Sequence, residues 1–134
     1  MFNPKDFLKL SADLSKPGLN EAQYRTAISR SLYGVFLWAR EELDCRGQKV
    51  KATNEDEGPY EHSKVRECFK RGKFKHYAVS QRLGALYKLR YQSDYDLDST
   101  IQHSDLLQAL EYVEYIRKVF QNVLFTTPPS NNQN

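Results

Sequence analysis

The sequence predicts an all-α protein, an up-and-down bundle of four to five helices, and three observations lead there. Apolar residues return every three or four positions through most of the chain. Clusters such as Lys16-Pro17-Gly18, Gly58-Pro59 and Arg71-Gly72-Lys73 fall between those periodic runs. No stretch alternates apolar and polar residues as a half-buried strand would, and no internal repeat is visible. At 134 residues the chain is long enough to bury one core without disulfide or metal staples.

Each element has its own signal. Asn3-Pro4-Lys5-Asp6 opens a first helix with Pro in its first turn, and Phe7, Leu10 and Leu14 give it an apolar face. Lys16-Pro17-Gly18 ends it. Asn20 caps a second helix that runs to about Leu43. Ile28, Leu32, Val35, Phe36, Ala39 and Leu43 form one stripe on it, and Ala27, Ser31, Gly34 and Trp38 form another. A helix apolar on so many sides is a central one. The small residues Ala27, Ser31 and Gly34 would admit another helix closely. From Asp44 to Glu61 periodicity dissolves into a long loop. A short helix follows over about 62–70, with Val65 and Phe69 inward. The fourth runs from about Lys75 to Tyr91 or Tyr95, and Asp96 to Ser99 turns the chain. The last reaches about Phe125 on the stripe Leu106, Ala109, Leu110, Val113, Ile116, Phe120 and Leu124. Residues 1–125 are thus expected to form one helical domain and 126–134 a flexible polar tail.

Composition narrows the class. A hydrophobic share of 40% with 28% charged residues argues against wholesale disorder. Cys45 and Cys68 have no spacing that suggests zinc or a redox motif, so two reduced thiols in the cytoplasm are expected. The amino terminus has no signal-peptide pattern. The longest apolar stretch, Leu32 to Ala39, is far short of the roughly 20 residues that cross a bilayer; no membrane role is expected. Charge is unevenly placed. Between Lys64 and Arg90 lie nine Lys or Arg residues and one acid, Glu67, so the segment is +8 within a chain of net +3. Such a segment suits an anionic partner, or is a solvated basic face balanced by acids elsewhere.

Several chemistries lack their signatures. The six glycines fit no P-loop or dinucleotide fingerprint. The three histidines, His62, His76 and His103, have no chelating spacing. No metal and no organic cofactor is expected. Three polar constellations remain. The first is Arg90, Asp94 and Tyr95, where Arg90 and Asp94 continue the apolar row Val79, Leu83, Leu86. A guanidinium there must be paired or must anchor a site, since an uncompensated buried charge costs several kcal/mol. The second is Arg30 and Tyr33 on the central helix. The third is Arg71 with His76, an arginine and an imidazole that together could cleave RNA without metal, one stabilising the phosphorane and the other moving a proton.

The segment Tyr24-Arg25-Thr26-Ala27-Ile28-Ser29-Arg30-Ser31-Leu32-Tyr33-Gly34-Val35-Phe36 resembles the second helix of the HEPN family (higher eukaryotes and prokaryotes nucleotide-binding domain). His62-Ser63-Lys64-Val65 leading to Phe69 resembles a later block. Leu89-Arg90-Tyr91-Gln92-Ser93-Asp94-Tyr95-Asp96 resembles the family's Arg-x-x-Ala-Asp-Tyr signature. The resemblance spans about 20–125 and implies a helical bundle that forms a homodimer. It also implies either a metal-independent endoribonuclease of a toxin–antitoxin or defence system, or a non-catalytic nucleotide-binding or adaptor partner of a minimal nucleotidyltransferase. The family's nuclease motif is Arg followed after four to six residues by His. Here Arg90 is followed by Asp94, and only Arg71 and His76 carry that spacing, with Gly72 directly after the arginine. The resulting expectation is a groove lined by Arg30, Arg90, Asp94 and Tyr95, with His62 nearby, that binds RNA or nucleotide phosphate. Tyr33, Lys64, Arg71 and Lys73 would extend the binding surface. In a cleaving enzyme Arg90 would meet phosphate charge, Asp94 would orient it, and His62 or His76 would move the proton.

Overall fold

The longest helix organises the molecule. In the computed structural model, which describes residues 2–50 and 61–128, this is α2, Glu21–Cys45. Around it stand α1 (Lys5–Asp13), α3 (Glu61–Arg71), α4 (Tyr77–Tyr95) and α5 (His103–Val119), followed by a π-helical turn, Phe120–Leu124. No strand occurs among the described residues. The architecture is an all-α bundle in which α2 touches the other four helices and α4 also packs on α3 and α5.

Asn20 starts α2 by reciprocal capping. Its Oδ1 accepts the Gln23 amide at 2.9 Å, while Gln23 Oε1 accepts the Asn20 amide at 3.0 Å. Ala27, Ile28, Leu32, Val35, Ala39 and Leu43 are then almost wholly buried. The small-residue stripe receives α1 of the same chain. A Cβ on Gly34 would stand 2.5 Å from Leu8 Cδ2, and the buried Ser11 hydroxyl donates across the seam to the Ala27 carbonyl at 2.8 Å.

Arg25, on the outer edge of α2, ties down the end of α4. Its guanidinium donates to the carbonyls of Gln92 (3.2 Å), Ser93 (2.9 Å) and Ser99 (2.6 Å), while Nε pairs with Glu21 at 2.8 Å. The Ser93 carbonyl is one that the last turn of a helix leaves without an intrahelical donor, while that of Gln92 also accepts the Asp96 amide at 3.0 Å. Asp96 closes the turn beyond, accepting from the amides of Asp98 and Ser99 and from the Ser99 hydroxyl.

Three boundaries differ from expectation. Asp44 and Cys45 belong to α2 rather than to the loop; positions 51–60 of that loop lie outside the described residues. The fourth helix starts two residues late, at Tyr77, because His76 is its cap, its Nδ1 accepting the Val79 amide at 3.4 Å. The last helix does not continue regularly to Phe125. After Val119 it widens, and the Phe125 amide donates to the Phe120 carbonyl at 2.8 Å, five residues back. The wider turn puts Phe125 against Phe120, Phe69 and Phe74, with centroids 4.9, 6.4 and 5.4 Å apart. Of the expected tail, 129–134 lies outside the described residues. No helix among the described residues is long and apolar enough to cross a membrane.

Candidate functional site

Val79, Leu83 and Leu86 are fully buried on α4, and Arg90 follows them on the same row. Its side chain keeps only 16% of its exposure. Nη2 donates to the Tyr33 hydroxyl on α2, and the guanidinium lies over the rings of Tyr33 and Tyr95, 5.2 and 5.6 Å from their centroids. Nε stands 3.1 Å from Asp94 Oδ2, but its N–H is not aimed at that oxygen and has no aligned acceptor. Asp94 is held in turn by the Ser29 hydroxyl at 3.3 Å. Burial favours the neutral form of Arg90. The Tyr33 hydrogen bond outweighs it, with the charges of Tyr33, Asp94 and Tyr95, and the group is held above its ordinary value. Arg30 extends the cluster, its guanidinium 5.1 Å from the centroid of Tyr33 and 5.3 Å from that of Phe7.

His62, in the first turn of α3, lies between Phe36 and Tyr87, at centroid distances of 5.2 and 4.4 Å. Its Nε2 is buried without a hydrogen-bond partner among the described residues. Burial first, then the charges of Arg66 and Arg90, lower its pKa to about 4. At neutral pH only about one ring in a thousand is protonated. Such an imidazole is a poor general acid and a weak base at pH 7, because proton-transfer catalysis works best with a pKa near the operating pH. It remains a good neutral hydrogen-bonding group.

Arg66 stands one turn after His62 and lies across α4 at Gly84, where an added Cβ would come within 2.7 Å of its Nη2. Its Nε is also buried without an acceptor. Sequence reasoning passed over this residue because it reads as one more cation in the +8 segment. Gly84 was the only signal, and it becomes one only when α3 lies on it.

The structure therefore brings together Arg30, Tyr33, His62, Arg90, Asp94 and Tyr95 and separates the rest. His76 is fourteen positions before Arg90 on α4, about 21 Å at the rise of a helix. It is engaged in capping, with its ring 6.2 Å from that of Tyr115. Between His62 and His76, only His62 is near Arg90. Arg71 is exposed and paired with Glu67 at 2.9 Å, and it does not converge with His76 on a buried site. Lys64 and Lys73 are exposed on and beyond α3. His103 places Nε2 2.5 Å from the Ser15 carbonyl. Among the described residues no cluster of His, Cys, Asp and Glu could hold a metal ion.

Beside Arg90 the outer face of α4 carries Tyr87, Tyr91 and Tyr95 at one-turn spacing, the last two more than half exposed. With Lys88, Gln92 and Asp96 they line a groove of about 660 Å³. Of the Arg90 cluster only Tyr95 lines this groove, which offers aromatic faces to a planar group.

No family model and no solved structure matches the chain. It is similar to protein MJ0992 of Methanocaldococcus jannaschii, described only as uncharacterized. The two are 28% identical over 151 aligned positions, which cover 99% of this chain and 82% of the relative.

Proposed function

We propose that this protein is a HEPN-like homodimer that binds RNA or nucleotide phosphate at Arg90 and acts as a binding module rather than as a ribonuclease. The observation that carries the reading is the inward guanidinium of Arg90, with one N–H not aimed at any acceptor. A buried donor without an aligned acceptor costs about 1–3 kcal/mol, which an anion bound at Arg90 would offset. The tyrosine-lined groove next to it supports a nucleotide or single-stranded RNA, whose bases stack on aromatic rings while backbone phosphates meet cations. The depressed pKa of His62 favours binding over cleavage. The proposed setting is a prokaryotic toxin–antitoxin or defence system, with a minimal nucleotidyltransferase as partner.

Fluorescent single-stranded RNA and a nucleoside triphosphate, titrated with EDTA present, test this. Wild type binds and leaves the RNA intact; Arg90→Ala weakens binding tenfold or more. Absence of binding by wild type removes the reading. Metal-free cleavage lost in both Arg90→Ala and His62→Gln replaces it with the nuclease alternative. Sedimentation gives the dimer, and a monomer at micromolar concentration removes that part.

A further inference from the structure

The seam between α3 and α4 holds a second polar groove, of about 240 Å³, lined by Ser63, Arg66, Lys70, Ser80 and Gln81 among others. Arg66 is the central cation of this groove. It is half-buried, has no ion-pair partner among the described residues, and its Nε is fully enclosed without an acceptor. The nearest carboxylate on its own helix, Glu67, also lines the groove but is paired with Arg71 at 2.9 Å. Lys70, one turn further along α3, adds a second cation.

The donors around this groove are more than a carboxylate could use. A guanidinium presents a fork of N–H groups, an ammonium adds three more, and two hydroxyls and an amide line the same groove. A tetrahedral oxyanion with three free oxygens matches that set, and guanidinium forks bind phosphate in two-pronged fashion. Gly84 makes the geometry possible. Only a residue without Cβ lets the guanidinium lie against α4, since an added methyl would stand 2.7 Å from Nη2 and 3.1 Å from Cζ. None of the residues lining this groove belongs to the Arg90 cluster, and Gly84 is six positions before Arg90, about 9 Å along the helix.

We infer that the α3–α4 groove is a phosphate-group site centred on Arg66, taking inorganic phosphate or the terminal phosphate of a nucleotide. Amide chemical shifts of the whole protein, titrated with inorganic phosphate against chloride at equal ionic strength, provide the test. Saturable shifts at Ser63, Ser80 and Gln81 are expected. Arg66→Ala should weaken phosphate at least tenfold. Gly84→Ala should do the same with every charge retained, because the new methyl displaces the guanidinium; an unfolding midpoint no lower than that of wild type shows that the fold is intact. The RNA affinity of Arg66→Ala should stay within twofold of wild type, which separates failure here from failure of RNA binding at Arg90. Adenosine monophosphate binding more tightly than phosphate identifies a nucleotide as the source, and equal affinity identifies the free ion. Wild type that responds no more to phosphate than to chloride overturns the assignment, as do Arg66→Ala and Gly84→Ala proteins that bind phosphate like wild type.

Discussion

Two seams of this bundle are built over a glycine in the middle of a helix, and they place opposite chemistry there. At Gly34 the α1–α2 seam receives Leu8 and Phe7, and the Ser11 hydroxyl finds the Ala27 carbonyl at 2.8 Å. At Gly84 the α3–α4 seam receives the Arg66 guanidinium, and buried nitrogens of Arg66 and His62 have no partner there among the described residues. Each glycine costs its helix about 1 kcal/mol relative to alanine. In the first seam close apolar packing offsets that cost. In the second the space holds polar groups that stabilise little by themselves. One seam is packing; the other is where a site is proposed.

The largest effect is expected where the packing seam is overfilled. Gly34→Val should lower unfolding free energy in urea by about 3 kcal/mol, since Leu8 and Phe7 must both move. A loss below about 1 kcal/mol would mean that α1 shifts freely and that the seam is not tightly fitted.

The polar seam should show itself next, through pH. His62 has a pKa near 4 in the folded protein against 6.5 for an ordinary ring, so the unfolded chain takes up this proton first. Stability from neutral His62 is complete above about pH 6.5 and is lost as pH falls towards 4, by up to about 3 kcal/mol. His62→Phe keeps an aromatic ring between Phe36 and Tyr87 and removes that loss. The gap between the two proteins' unfolding free energies should therefore move in favour of the variant from pH 7 to pH 4. A constant gap would show that His62 is not held neutral.

Smaller still is Gly84→Ala. The atoms that the new methyl meets are the end of a flexible side chain, so stability should be unchanged or higher by up to about 1 kcal/mol. A loss of about 2 kcal/mol or more would make Gly84 a packing glycine like Gly34 and erase the contrast. Arg71→Ala, which removes an exposed pair with Glu67, should change stability by less than about 0.5 kcal/mol.

What the sequence disclosed follows the same division. Asn20 as a cap, the stripes on α2 and the inward row as far as Arg90 are local patterns that the structure holds, whereas Asp94, expected to continue that row, is exposed. The small-residue stripe announced a close neighbour, which is α1. Pairings across helices were not legible. Tyr33 meets Arg90, and Arg25 meets the carbonyls of Gln92, Ser93 and Ser99, only because α2 and α4 cross where they do. Arg66 was hidden among neighbouring cations. The π turn was hidden too, because Phe120 and Leu124 keep ordinary helical spacing, and only the burial of Phe125 against Phe120 draws the chain into the wider turn. His76 had two readings, helix start and proton carrier, and its place is the helix start.

The central proposal is that Arg90 is turned inward to bind an anion. Its most direct test is the affinity of wild type, Arg90→Ala and Arg71→Ala for one fluorescent RNA, followed from about 50 to about 300 mM salt. Wild type should weaken steeply with salt, Arg71→Ala should stay close to it, and Arg90→Ala should bind at least tenfold less well with a salt slope smaller by about one. An Arg90→Ala protein that matches wild type in both affinity and slope would contradict the account.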